Sequence, residues 1–213
     1  VTAVLAAAAA AAVPRGVLDV TSPPYSADPT GQRDATDALQ AAITAAYTQQ
    51  QAVFFPPGRF TVSKPLEVTQ LYENGVTKDG HGGANIVPCR FRPNVLIGST
   101  ANLPIRPTIV LAPNSSGYGN PARPRWVLRI HNVHAENDNM NNHFRGIDFE
   151  ISAGNPGAVA LYFHGAQGGA VQDVEVRMPF GGFAGFGGGG GAGTSHVKVA
   201  VIGGSYGVYF AES

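Results

Sequence analysis

Cysteine is all but missing. Cys89 is the only one in 213 residues, so no internal disulfide can staple the chain. Standing alone, it reads as a small buried hydrophobe rather than a nucleophile. Charge is scarce too, at 13% of residues against a usual share of roughly a quarter. The 14 Lys and Arg balance the 14 Asp and Glu, which leaves no basic field to draw in nucleic acid or an anionic membrane. Long hydrophobic runs are also absent. The most apolar stretch, at the N-terminus, is about a dozen residues long and too short to span a bilayer.

A second amphipathic helix is missing as well. The stretch 34–48, DATDALQAAITAAYT, is the one convincing helix. Asp34 is expected at its N-cap, Asp37 favours the positive end of its dipole, and Leu39, Ile43, Ala46 and Tyr47 share a face. One helix followed by many short strands excludes a doubly wound α/β pattern.

What the chain has in excess is turn residues. Gly (28) and Pro (16) make up about a fifth of it, against a usual share of roughly 12%. Apolar residues, at 44%, suffice for a sizeable core. After VFFPPGRFTV, two β-type runs split by a Pro-Pro-Gly turn, come brief strands such as PTIVLA, WVLRIHN, GIDFEIS, ALYFHG, VQDVEVRM and HVKVAVIGG.

These strands repeat. Ile147, Phe149 and Ile151 share a face, as do Val174, Val176 and Met178, and then Val197, Val199 and Val201, at spacings of 27 and 23 residues. A second series pairs Leu161 and Phe163 with Ala184 and Phe186, then with Val208 and Phe210, at 23 and 24. Two interleaved series with a period in the twenties predict a solenoid whose coils each give one strand to each sheet. Phe163, Phe186 and Phe210 are expected to form an internal stack. The glycine-rich stretch 181–195, GGFAGFGGGGGAGTS, lacks the Lys-Ser/Thr of a phosphate loop and precedes no helix, so it reads as coil corners.

With apolar residues inward, Asp148, Glu150, Asp173, Glu175, Arg177 and Lys198 point outward. Carboxylates on neighbouring coils suit a glycosidase acid and its partner, and they equally suit Ca²⁺ with an Arg or Lys base, as a lyase needs. The competing expectation is a solvated charge ladder, with Arg177 beside Glu150 and Lys198 beside Glu175. Trp126, Tyr162, Phe183 and Tyr209 are candidate platforms for sugar rings. The run HNVHAENDNMNN, 131–142, holds His131, His134, Glu136 and Asp138 but lacks a helical His-Glu-x-x-His arrangement, and it reads as a polar loop. His164 and His196 stand alone and read as structural.

The start, VTAVLAAAAAAAVPRG, reads either as the end of a secretory signal with an Ala-x-Ala site near Ala10–Ala12, or as an Ala-rich helix or tail. Asn114-Ser115-Ser116 is a glycosylation sequon. The expected organisation is a remnant or tail over 1–12, an N-terminal cap over 13–60 and coils over 61–213.

The segment 18–62 carries Asp28, Gly31, Asp34, Thr36, Ala38, Gln40, Ile43, Phe54, Phe55, Pro57, Gly58 and Phe60. It resembles the N-terminal signature of the pectate-lyase-like superfamily, in particular the rhamnogalacturonase/epimerase-like domains and the family-55 glycoside hydrolases. FRGIDFEISAGNPGAVALYFHGAQGGAVQDVEVRM and GGSYGVYF resemble the first complete coils of the same families. The resemblance implies an all-β fold, a right-handed parallel β-helix with an N-terminal capping helix. It also implies an enzyme that cleaves polysaccharide of the β-glucan or pectin class by carboxylate acid/base chemistry, and the signal-like N-terminus adds the expectation that it is exported. A Ca²⁺-assisted lyase and a non-catalytic glycan-binding or tailspike-like module are the alternatives. Because members usually run to several hundred residues, the chain is expected to be a fragment with its catalytic carboxylates beyond Ser213. Within it the candidates are Asp148, Glu150, Asp173 and Glu175 for catalysis, and Tyr162, Tyr209, Arg177 and Lys198 for substrate binding, with no cofactor apart from the lyase's Ca²⁺.

Overall fold

The computed structural model describes residues 16–70, 72–73, 76–78, 84–86, 90–100, 105–132, 139–189, 191 and 193–210. The Ala-rich start, Cys89, His134, Glu136 and Asp138 lie outside them. The chain opens with β1 (Val17–Asp19) and β2 (Thr30–Asp34), then α1 (Thr36–Gln49), β3 (Ala52–Phe55), β4 (Arg59–Val62) and β5 (Leu66–Gln70). Four short strands follow: β6 (Tyr72–Glu73), β7 (Val76–Lys78), β8 (Ala84–Ile86) and β9 (Arg90–Phe91). Next come β10 (Val95–Gly98), β11 (Thr108–Leu111), β12 (Arg125–Asn132), β13 (His143–Arg145) and β14 (Asp148–Ile151). The last are β15 (Ala158–Phe163), β16 (Ala170–Met178), β17 (Ala184–Gly187), β18 (Ser195–Gly203) and β19 (Tyr206–Tyr209).

Alternation of apolar and polar residues dictates these strands, because side chains on a strand point to opposite faces in turn. Phe60 and Val62, Phe149 and Ile151, and Val174 and Val176 are buried, while their neighbours are not. Every pairing in the two main sheets is parallel. The larger sheet has ten strands in the order β1-β3-β10-β13-β16-β14-β11-β4-β2, with β18 also on β16. The smaller runs β19-β17-β15-β12-β5. Antiparallel pairs β6–β9 and β7–β8 stand apart from both.

The nine-residue β16 joins two lines of strands, since its start pairs with β13 and its end with β14. The run β13–β14–β15 therefore gives two strands to the larger sheet and one to the smaller, three segments rather than two. Between the two lines the backbone turns through left-handed positions, Gly146 (φ 69°), Asp173 (φ 55°) and Lys198 (φ 52°). Asp tolerates this region better than Lys does, because its short side chain bonds locally.

The register corrects the spacings read from the sequence. Phe149 does stand beside Val176, 27 residues on, but Val174 stands beside Val199, 25 on, and not beside Val197. In the second sheet Leu161 pairs with Phe186 and Phe186 with Val208, at 25 and 22. The expected phenylalanine stack therefore does not form. Phe163 and Phe186 instead flank the His196 ring at 6.2 and 6.0 Å, and Phe210 is 69% exposed.

Helix α1 begins two residues later than expected. Its N-cap is Ala35, which has no capping side chain. Asp34, one residue earlier, accepts from the Thr36 N–H (2.8 Å) and hydroxyl and from the Ser63 hydroxyl. Leu39, Ala42, Ile43 and Ala46 are buried against β1, β3 and β5. Gln40 fastens the helix to the smaller sheet, accepting from the Glu67 N–H (2.8 Å) and donating to the Glu67 carbonyl (2.9 Å). Among the described residues no helix is long and apolar enough to cross a membrane.

Candidate functional site

The outward face of β4, β11, β14 and β16 carries a network of charges. On β14, Phe149 and Ile151 point into the core, which turns Asp148 and Glu150 out. On β16 the buried Val174, Val176 and Met178 do the same for Glu175 and Arg177. Glu150 stands directly beside Arg177 in the ladder, as expected. Glu150 forms an ion pair with Arg59, 2.8 Å away and two strands off, across Val110. Arg177 bonds Glu175 on its own strand.

Arg106 is the hub. Its guanidinium forks onto Asp148 (Nε to Oδ2 2.7 Å, Nη2 to Oδ1 2.9 Å) and also reaches Asp173 through the carboxylate (3.2 Å) and the carbonyl (2.7 Å). Asp148 Oδ1 accepts a further bond from the Glu175 N–H (2.9 Å). The Asp148 bonds, together with those to Asp173, raise the Arg106 pKa above its ordinary value. Such bidentate, charge-assisted pairs are directional, so Arg106 fixes where both aspartates sit.

A groove of about 470 Å³ runs over this face, bordered by Thr30, Arg59, Arg106, Thr108, Asp148 and Arg177. A small gap of about 30 Å³ adjoins it, and there Glu150 and Glu175 face Arg59 and Arg177. Lys198 is not part of it. Ala200 occupies the position beside Glu175, and Lys198 falls level with Asp173, between the Gln172–Val197 and Val174–Val199 pairs. The expected Lys198–Glu175 pair is thus corrected, because the register differs by two residues from the one the valines suggested. Among the described residues, no three His, Cys, Asp or Glu side chains converge as a metal cage.

The smaller sheet presents a different outer face. Its register aligns Glu67, Arg129, Tyr162, Gly187 and Tyr209 in one row across five strands. Trp126 lies beside Tyr162, with ring centroids 5.6 Å apart, and the Arg129 guanidinium stands 4.5 Å from the indole centroid and 5.5 Å from that of Tyr162. Tyr209 packs on Phe183 at 4.8 Å, with Tyr206 completing a cluster of three rings. A Cβ on Gly187 would come within 3.1 Å of the Tyr162 ring, so the bare glycine leaves that ring room to lie along the face.

His131, read from the sequence as part of a polar loop, is an outward residue of β12. Its Nε2 lies 3.2 Å from Glu67 Oε2 and 3.3 Å from the Thr69 hydroxyl. Glu67 Oε1 accepts from the Trp126 indole N–H at 2.9 Å. Burial pushes the Glu67 carboxyl up, but bonds from His131 and Trp126 outweigh it and hold it below its usual value. Asn139 and Asn142, from the same run, are fully buried and belong to the interior. Desolvation lowers the pKa of His196, whose ring lies edge-on to Phe163 and Phe186. Sequence reasoning missed Arg59, Arg106 and Glu67. Arg59 and Glu67 each left a signal, as polar positions of the alternating Arg-Phe-Thr-Val and Leu-Glu-Val-Thr runs, and Arg106 left none.

Parallel strands from successive turns of chain, laid behind one N-terminal helix and charged on their outward faces, define a pectate-lyase-like domain. The chain belongs to the rhamnogalacturonase A/epimerase, pectate lyase-like family, whose model matches residues 23–212. No curated protein matches it in sequence. Among solved structures it is similar to PfbA, a surface adhesin of Streptococcus pneumoniae, at 13% identity and a TM-score of 0.48, covering 88% of this chain and 39% of that one. It is also similar to the Agl-KA catalytic domain (15%, TM-score 0.39, covering 96% and 46%). A third is the catalytic unit of a thermostable GH87 alpha-1,3-glucanase from Streptomyces thermodiastaticus (17%, TM-score 0.37, covering 94% and 43%). The chain spans less than half the length of each.

Proposed function

We propose that this protein is an exported, right-handed β-helical enzyme that hydrolyses polysaccharide along the outer face of its larger sheet, with Glu150 and Glu175 as the acid/base pair. One observation carries the reading: these two glutamates face one small gap, on neighbouring strands and two residues out of step. With strands ~4.8 Å apart and a rise of ~3.3 Å per residue, that diagonal sets their backbones about 8 Å apart. An inverting glycosidase holds its two carboxyl groups ~6.5–9.5 Å apart to seat a water between them, and two glutamate side chains rooted on such a diagonal can span that interval. One carboxylic acid gives its proton to the glycosidic oxygen as the bond to the anomeric carbon breaks. The other carboxylate takes a proton from the water that attacks that carbon from the opposite face.

Asp148 and Asp173 have a different part. Both are committed to Arg106, and Asp148 also to a backbone N–H, so they act as positioning residues that hold Arg106 at the groove wall. Family membership supports a polysaccharide as the partner. The test is release of reducing ends from β-glucans and pectic polysaccharides, followed alongside absorbance of unsaturated products in the ultraviolet. Hydrolysis lost in both Glu150→Gln and Glu175→Gln supports the assignment. Ultraviolet-absorbing products would replace it with a lyase, and binding without any cleavage would replace it with a glycan-binding module.

A further inference from the structure

Outside the charged groove, the outer face of the smaller sheet gathers groups that nothing above uses. Trp126 and Tyr162 offer half-buried rings side by side, and Glu67 and His131 border them with an ionised acceptor and an imidazole. Next to this patch a cleft of about 260 Å³ opens between the sheet and α1, lined by Gln40, Thr44, Tyr47, Thr48, Glu67 and Thr69. Glu67 is common to both. Apolar ring faces next to a carboxylate and hydroxyls match the chemistry of a pyranose, which has C–H faces and an equatorial rim of hydroxyls. The local charge is close to balanced, with Glu67 opposite Arg129 in the ladder. That favours a neutral sugar over a uronate, which would bring a second carboxylate against Glu67.

We propose that Trp126, Tyr162, Glu67 and His131 form a binding subsite for a neutral pyranose, on a different sheet from the cleavage groove. A linear chain crossing the strands from there follows the row towards Gly187 and Tyr209, where Phe183 and Tyr206 extend the aromatic surface. The strand spacing of ~4.8 Å is close to the advance of one sugar ring along such a chain. The proposal rests on the glycan reading above, but not on which residues cleave.

Trp126 is the only tryptophan in the protein, so its emission reports this site alone. The experiment titrates the protein with β-1,3- and β-1,4-linked glucose hexamers and with an oligogalacturonide of equal length. A saturable change is expected with at least one glucan and a weaker response with the uronate. Tyr162→Ala is expected to weaken binding by about tenfold. Tyr162→Phe keeps the ring and is expected to bind nearly as the parent does. Glu67→Gln weakens binding severalfold while preserving shape. Absence of a saturable change with either glucan, equal response to the uronate, or parental affinity in both folded Tyr162→Ala and Glu67→Gln overturns the proposal. An emission change that tracks protein concentration without sugar assigns the face to self-association and overturns it too. Glu150→Gln separates the two ideas: cleavage stops, while the Trp126 titration is unchanged.

Discussion

Replacing Asn142 with alanine tests how the interior is held. Its side chain has no solvent exposure, and neither do those of Asn139 and Gln70. Its Oδ1 accepts from the Asn94 N–H at 2.7 Å and the Asn94 amide at 3.1 Å. Its Nδ2 donates to Asn139 Oδ1 and, at 3.3 Å, to Gln70 Oε1. Gln70 Oε1 retains the Met140 N–H (2.8 Å), so two groups lose their partners, the Asn94 N–H and Asn139 Oδ1. Each orphaned buried group costs about 1–3 kcal/mol, which places Asn142→Ala about 2–6 kcal/mol below the parent. For a domain of this size that is a fall in melting temperature on the order of 10 °C. Urea unfolding with an unchanged m-value is the assay, with the exposed Asn120→Ala as control. Asn142→Asp is expected to cost at least as much, because it sets a carboxylate against Asn139 Oδ1 and Gln70 Oε1. A loss below ~1 kcal/mol in Asn142→Ala would refute the reasoning, since the amide chain would then be incidental to stability.

Other outcomes follow from the same structure. Phe149→Ala, at a ring 1% exposed and stacked on Phe144 at 5.6 Å, is expected to lose about 3–5 kcal/mol in denaturant unfolding, and Phe149→Leu clearly less. Gly98→Ala sets a Cβ 2.0 Å from the Gly146 carbonyl oxygen, so its melting temperature falls sharply while Gly119→Ala, with open space, stays near the parent. Bonds from the Thr30 hydroxyl, the Thr30 N–H and the Arg33 N–H hold the Asp28 carboxyl down to about 2 from 3.8. A depressed folded pKa stabilises fully above the unfolded value and is lost as pH falls through the folded one. Thermal midpoints of the parent should therefore drop more steeply than those of Asp28→Asn between pH 4 and pH 2, and parallel curves would count against the Asp28 network.

Much of this architecture was legible in the residues, and the misreadings are instructive. Alternation at Ile147–Phe149–Ile151 and Val174–Val176–Met178 was enough to set inside from outside, and so to turn Asp148, Glu150, Glu175 and Arg177 outward. Alternation repeats every two residues, however, so a run such as Val197–Val199–Val201 looks the same after a slip of two. Only the length of the turn before it distinguishes the registers. That slip misplaced Lys198 and promised a phenylalanine stack that the fold does not make. The groove's organiser, Arg106, was illegible for another reason. It lies in the irregular segment before β11, 42 residues from Asp148 and 67 from Asp173, with no period to link them. Glu67 and His131 are 64 residues apart and meet only because β5 and β12 are neighbours.

The ladder also carries a record of how freely such a chain can change length. Leu66 and Leu128 are adjacent although 62 residues separate them, and Leu128 and Leu161 are adjacent across 33. By Phe186 and Val208 the interval has shrunk to 22. The side-by-side geometry is the same at each step, so the ladder accepts intervals of very different length. Closing a loop twice as long costs only about 0.6 kcal/mol more. Insertions between turns are therefore nearly neutral for stability, whereas a shift of one residue within a strand would turn it inside out. Divergence in what relatives bind can accumulate in those excursions while the paired segments stay in step.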